Sequence, residues 1–350
     1  MSIRQLRRHA VSQSLFRPAA LKDALARLGF VQADPIRAPA CAQDLILRHR
    51  VKNYRAGELE RRYPSLDIEE DYLYAYGFVA RPLYRLLHPR GTGALSALER
   101  KIIAAVRDSG ELHPGQAAAR FGHNRITNAW GGQSRRTTDA LERLHHRGLL
   151  RVVRRQGGTR IYAPAGHQGK PEPAGERCRK LILAAAAILA PAPRKSFQSA
   201  IAPRLRWILP SIRARELLDG MIGSGELQSR AVDGIEYVWP SGKINDEEPP
   251  RRVRLLAPFD PLVWDRRRFE HLWGWAYRFE AYTPPAKRLR GYYAMPLLWG
   301  DDIIGWANAA VRGGRLECET GFAGKRPAGK DFHRELEAEF DAMKAFLSLP

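Results

Sequence analysis

Twice in this chain a set of short amphipathic helices runs directly into a two-residue hairpin, and that repeat restricts the fold more than any other feature. In the first copy helices are predicted over 97–108, over 115–121 behind Pro114, and over 134–146. Thr137, Ala140, Leu141 and Leu144 share one face of the third. Ser134 stands where an N-cap is expected and Gly148 where the helix should stop. Residues 149–155 and 160–163 then flank the turn Gln156-Gly-Gly-Thr159. In the second copy helices are predicted over 181–189 and 197–208, with a third capped by Ser211 and carrying Ala214, Leu217, Leu218, Met221 and Ile222 on one face. Residues 226–232 and 235–239 follow around Asp233-Gly234, a strong two-residue hairpin signal. Helices that end in a hairpin predict winged helices, here in tandem.

The first ninety or so residues look related but lack a clear wing. Helices are predicted over 3–13 and 19–28, then an extended piece over 30–34, then helix over 45–51 and 57–63. From Arg251 the pattern turns to strand. Residues 277–282 alternate, 292–299 are apolar, and 303–311 and 316–320 flank Gly313-Gly314. This succession of hairpins predicts a small barrel or curled sheet. Leu336, Phe340, Met343 and Leu347 mark a terminal helix over 332–347 that packs back onto it. Trp264, Trp273 and Trp275 are read as core of this part. The fold class expected is therefore α+β, with tandem winged-helix (helix-turn-helix) domains followed by a C-terminal β-barrel-like domain. The boundaries expected are 1–92, 93–165, 176–245 and 251–350, with 166–175 as a linker.

Charge restricts the partner. Fifty-eight Lys and Arg against 37 Asp and Glu give a net +21. Repulsion of that size destabilises a compact chain and suits a polyanionic partner, which points to nucleic acid. No apolar run approaches the ~20 residues that span a bilayer. Cys41, Cys178 and Cys318 are scattered without metal-binding or disulfide spacing, and the basic N-terminus lacks the apolar stretch of a signal peptide. A reduced, cytoplasmic, monomeric protein is expected, with no cofactor. His49, His145 and His146 have no partners at metal spacing, so no metal is expected.

One short stretch carries candidate chemistry. In an extended segment Gln32 and Asp34 of Val31-Gln-Ala-Asp-Pro35 point the same way, roughly 6–7 Å apart, and Pro35 biases Asp34 away from helical geometry. An amide beside a carboxylate can direct a water and take its proton. The same residues also fit a helix start, with Asp34 as N-cap and Pro35 at the first position. Candidate phosphate contacts are Arg48, Arg50 and Lys52 just downstream, Arg135 and Arg136 at the start of the helix over 134–146, and Lys287, Arg288 and Arg290 in the loop Thr283–Arg290, read as joining two strands.

Gln-x-Asp after the first helices, winged helices behind it and a basic β-rich end resemble the AlkZ/YcaQ family of winged-helix DNA glycosylases. The stretches Trp130-Gly-Gly-Gln-Ser134, Leu255-Leu-Ala-Pro-Phe-Asp-Pro-Leu-Val-Trp-Asp265 and Tyr277 to Tyr293 carry the same likeness, which covers essentially the whole chain. The resemblance implies removal of bases alkylated at guanine N7 from double-stranded DNA and, for the Gln-x-Asp branch, unhooking of interstrand crosslinks. It implies Gln32 and Asp34 as the catalytic pair. Ala33 stands where a bulky aliphatic is usual, and residues 40–50 lack a His-rich stretch, departures that bear on lesion preference. N7-alkylation makes guanine a cationic leaving group, so one carboxylate suffices where glycoside hydrolysis ordinarily needs two. A glycosylase/lyase using Lys52 as nucleophile and a winged-helix transcriptional regulator without catalysis are the competing expectations.

Overall fold

A computed structural model describes residues 1–90, 93–127, 131–166, 169–242 and 244–349. Its N-terminal part runs α1 (Ile3–Ser14), α2 (Leu21–Leu28), β1 (Phe30–Gln32), α3 (Ala42–Leu47), α4 (Glu58–Arg62), β2 (Ile68–Tyr72), β3 (Tyr76–Ala80) and α5 (Arg81–Leu87). Ser2 and Gln5 form a capping box at α1, and Gly29 ends α2 at φ 67°. Strands β1, β3 and β2 make one antiparallel sheet in that order. A hairpin therefore exists where none was expected. It escapes a hydrophobic pattern because Glu69, Glu70 and Asp71 of β2 are themselves buried. Each carboxylate meets a cation from another element: Glu69 meets Arg151 at 3.0 Å, Glu70 meets Arg155 at 2.7 Å, and Asp71 meets Arg90 at 2.8 Å.

The second part holds α6 (Ala97–Ser109), α7 (Pro114–Phe121), β4 (Arg125–Thr127), β5 (Gln133–Arg135), α8 (Arg136–His146) and the hairpin of β6 (Leu150–Gln156) with β7 (Thr159–Pro164). Ser96 and Glu99 form the capping box of α6. Ser134 does not cap α8, because it lies inside β5 paired with Ile126. Arg135 takes the cap position without a side-chain bond. Trp130 falls outside the described residues.

The third part runs α9 (Ala174–Ile188), β8 (Ala192–Pro193), α10 (Arg194–Ser196), a wider turn over 197–201, α11 (Ala202–Ile208) and α12 (Ala214–Gly223). It closes with β9 (Leu227–Val232) and β10 (Ile235–Pro240). Asp233 and Gly234 take φ 48° and 76°, the mirror-image turn that two-residue hairpins require. Ser211 does not cap α12, which begins after Arg213.

The C-terminal part contains β11 (Val253–Leu255), α13 (Pro261–Trp264), α14 (Arg266–Trp273), β12 (Met295–Trp299), β13 (Asp302–Arg312), β14 (Arg315–Phe322) and α15 (Lys330–Phe346). Its four strands form an open antiparallel sheet in the order β11-β12-β13-β14, a half-barrel rather than a closed one. Residues 277–282 are not a strand. Their alternating aromatics pack as side chains instead: Tyr277 donates its hydroxyl to Ala294 O at 2.6 Å, and Phe279 meets Phe259 edge-on at 4.9 Å. Of the three tryptophans, Trp273 is buried, while Trp264 reaches across the chain to Tyr74 at 4.7 Å.

Three apolar clusters hold these parts together, and none is confined to one of them. Leu6, Ala10 and Val11 of α1 share a core with Leu262, Phe269 and Leu272 of α13 and α14. Leu45, Ile46 and Leu47 of α3 share another with Leu255, Leu336 and Met343. Phe30 and Val79 join the core of the third part. No helix among the described residues is long and apolar enough to cross a membrane.

Candidate active site

Strand β1 delivers the Gln-Ala-Asp segment. Gln32 pairs with Gly77 of β3, and the Ala33 N–H donates to Tyr76 O at 3.0 Å. The close pairing depends on the glycine. A Cβ at position 77 would lie 2.3 Å from Val31 O and 2.8 Å from the Phe30 ring, and neither backbone nor a buried ring can step aside cheaply. Gly77→Ala is expected to cost about 1–3 kcal/mol, read as a lower urea midpoint. It should also slow any reaction that uses this segment, because β1 must shift to admit the methyl group.

Past β1 the chain does not enter a helix until Ala42. Asp34 is therefore not spent on a helix start. Its Oδ1 accepts the Ile36 N–H at 2.9 Å, a local turn that Asp favours. The carboxylate is half-buried and its pKa is raised. Burial drives the rise, and the Ile36 N–H opposes it.

Asp34 lines a cleft of about 640 Å³ between the N-terminal part and the β6–β7 hairpin. Arg37, Gln43, Tyr76, Arg155 and Arg160 share its wall. Glu70 fixes one side, accepting from both Arg155 Nε (2.8 Å) and Nη2 (2.7 Å) and from the Tyr76 hydroxyl (2.7 Å). The Arg160 guanidinium lies 4.2 Å from the centre of the Tyr76 ring. The cleft carries mixed charge, with Arg37, Arg155 and Arg160 set against Asp34, Glu60 and Glu142.

The two members of the expected pair are placed differently. Gln32 is partly buried, is not among the residues lining this cleft, and leaves its Oε1 buried without a hydrogen-bond partner. The amide that the fold brings to the cleft is Gln43 of α3, whose Oε1 accepts the Asp34 N–H at 3.4 Å. Its helix is steadied by the Tyr54 hydroxyl, which donates to Asp44 Oδ1 at 2.7 Å. Nothing local in the sequence marks Gln43; only its return to Asp34 nine residues earlier does. From the C-terminal part comes Tyr293, buried, its phenol pushed up first by burial and then by the Asp34 charge.

The basic candidates divide sharply. Arg48 and Arg50, expected at phosphates, are not on the surface. Arg48 has a side chain 3% exposed and is paired with Glu339. Arg50 is fully buried, with Asp260 at 2.8 and 3.0 Å, Ser14 O and Oγ at 2.8 and 2.7 Å, and Ile46 O at 2.7 Å. Every face of that guanidinium is used, so a phosphate has no route to it. Lys52, Arg135, Arg136 and Lys287 are exposed. Arg288 is half-buried, donating from Nε to Thr283 O at 2.8 Å and lying 5.1 Å over the Tyr292 ring. Arg290 is held between Trp275 and Trp306, at 5.1 and 5.3 Å. Its loop follows α14 and irregular chain rather than joining two strands. Among the described residues, no three His, Cys, Asp or Glu are grouped to hold a metal ion.

Two comparisons bear on this arrangement. The family described as "DNA glycosylase AlkZ-like" matches residues 25–346. A solved structure, the DNA glycosylase AlkZ of Streptomyces sahachiroi, aligns at a TM-score of 0.67 with 17% identity, over 100% of this chain and 97% of that one. At such identity that likeness speaks for the fold.

Proposed function

The chain belongs to the AlkZ-like DNA glycosylase family, and from that premise we propose that it hydrolyses the N-glycosidic bond of N7-alkylated guanine in duplex DNA with Asp34 as the water-activating group. The observation that carries this reading is the Asp34 carboxylate, half-buried in a cleft that Arg37, Arg155 and Arg160 share and bound by one local N–H. A carboxylate so placed takes a proton from water and stabilises positive charge on the sugar as the base leaves. The departing base is already cationic, so no acid is needed. Gln43 holds the Asp34 backbone, and Gln32, outside the cleft in the free protein, directs the water only once DNA is bound. The same chemistry applies to a guanine whose N7 carries a crosslink.

The grip on DNA is electrostatic. Lys52, Arg135, Arg136, Lys287 and Arg288 contact phosphates in this reading, with the helix–hairpin parts acting as winged helices along the duplex. Phosphate contacts carry no sequence information, which suits an enzyme that meets its lesion in any context.

A duplex containing a single N7-methylguanine tests the proposal. Incubation followed by alkali is expected to break the strand at the lesion, and borohydride is expected to trap no protein–DNA adduct, since no lysine attacks the sugar. A trapped adduct would move the chemistry to a lysine such as Lys52. Selection of one preferred sequence from random DNA, with no strand break, would favour a regulator.

A further inference from the structure

The loop between α14 and β12 commits buried groups to presenting apolar side chains to solvent. Tyr282 is 82% and Leu289 78% exposed, among the most exposed large apolar residues described. Single exposed apolar residues need no explanation, but these two sit on a scaffold that a plain connection does not require. The Glu280 carboxylate is buried, and it accepts the N–H of Leu289 at 3.0 and 3.1 Å and that of Arg290 at 2.8 Å. Arg288 ties back to Thr283 O, and Asn308 on β13 donates to Arg290 O at 2.5 Å. Pro284 and Pro285 fix two backbone angles between them. The two apolar tips are therefore held out, not left to collapse.

Their position relates them to Asp34. Phe279 meets Tyr282 edge-on at 6.1 Å and Tyr293 at 5.4 Å, and Tyr293 lies within reach of the Asp34 charge. Gly291, Tyr292 and Tyr293 share a cavity of about 530 Å³ with Ala38, four residues past Asp34. Lys287 and Arg288 flank the tips with positive charge. An apolar projection ringed by cations fits the inside of a base stack beneath a phosphate backbone.

We infer that Tyr282 and Leu289 form a wedge that enters the duplex beside the damaged nucleotide and unstacks it, so that its glycosidic bond reaches Asp34. The inference rests on the glycosylase reading for its purpose. Apolar side chains inserted between base steps part the stack, and burial of their surface offsets the unstacking.

The test is the double variant Y282S/L289S in the full chain, on two duplexes. In one the N7-methylguanine faces cytosine; in the other it faces an abasic analogue, where the stack is already broken. Single-turnover cleavage of the first is expected to fall by about 10- to 100-fold, with most of that loss recovered on the second. Both side chains are exposed, so the thermal midpoint should not move. A variant that cleaves the cytosine-opposed lesion at the wild-type rate, or loses equally on both duplexes, overturns the wedge. Fluorescence of 2-aminopurine placed beside the lesion reads the wedge without turnover: it should rise on binding of wild type and stay low with the variant. Wild type that raises fluorescence but cuts neither duplex would sink the glycosylase reading and leave the wedge standing.

Discussion

Asp34→Asn is expected to lower single-turnover cleavage of an N7-methylguanine duplex by about 10²- to 10⁴-fold, the usual contribution of a positioned base, while binding to the same duplex stays nearly unchanged. The substitution keeps the shape of the side chain and its bond to the Ile36 N–H. What it removes is the capacity to take a proton. The pH profile supplies an independent check. Burial raises the Asp34 pKa, and the base works only when ionised, so the wild-type rate should fall on the acid side at a pH above the ordinary aspartate range. The asparagine variant should lack that limb. Linkage gives the stability sign: a carboxyl with a raised folded-state pKa disfavours the fold as pH rises through that pKa. The neutral variant should thus unfold at neutral pH no more readily than wild type. Full activity in the asparagine variant would remove Asp34 from the chemistry.

Arg50→Ala is expected to cost about 3–5 kcal/mol, the usual penalty for breaking a fully buried ion pair. It leaves the Asp260 carboxylate with the Leu262 N–H but no countercharge from Arg50, and removes the Arg50 donors to both Ser14 oxygens, a loss readable in urea unfolding. Replacing Arg50 and Asp260 together by apolar residues of similar volume should recover much of it. If the single variant unfolds within about 1 kcal/mol of wild type, the buried pair is not what joins the N-terminal part to the C-terminal one.

What the sequence reveals depends on how far away each residue's partner lies. The hairpins β6–β7 and β9–β10 are legible because their turns are written locally, in Gly157-Gly158 and Asp233-Gly234. The hairpin β2–β3 is not, because the strand buried on both faces reads Glu69-Glu70-Asp71 and becomes sensible only beside Arg151, Arg155 and Arg90. Arg48-His-Arg50-Val-Lys52 looks like a solvated basic run for the same reason. Two of its cations are claimed by Glu339 and Asp260, more than two hundred residues on. The alternation of Tyr277 to Tyr282 imitates a strand, but edge-to-face ring packing produces it here. At the site, Asp34 can be found from Asp-Pro and from family likeness, whereas Gln43 sits in an unremarkable helix and is found only in three dimensions.

The interlocking of the two ends of the chain also sets an order of events. Helix α1 shares its apolar core with α13 and α14 and with strands of the third and C-terminal parts, and the Ala56 N–H donates to Phe346 O. A chain emerging from the ribosome is made from its N-terminal side, yet the segment bearing Asp34 lacks those supports until α15 has been made. Closing contacts of such separation is entropically expensive and slow. The nascent protein would carry the Asp34 segment in an unfinished frame until α15 has been made, so a chain terminated before α15 would keep much of the positive charge of the full one while its Asp34 segment lacks that frame.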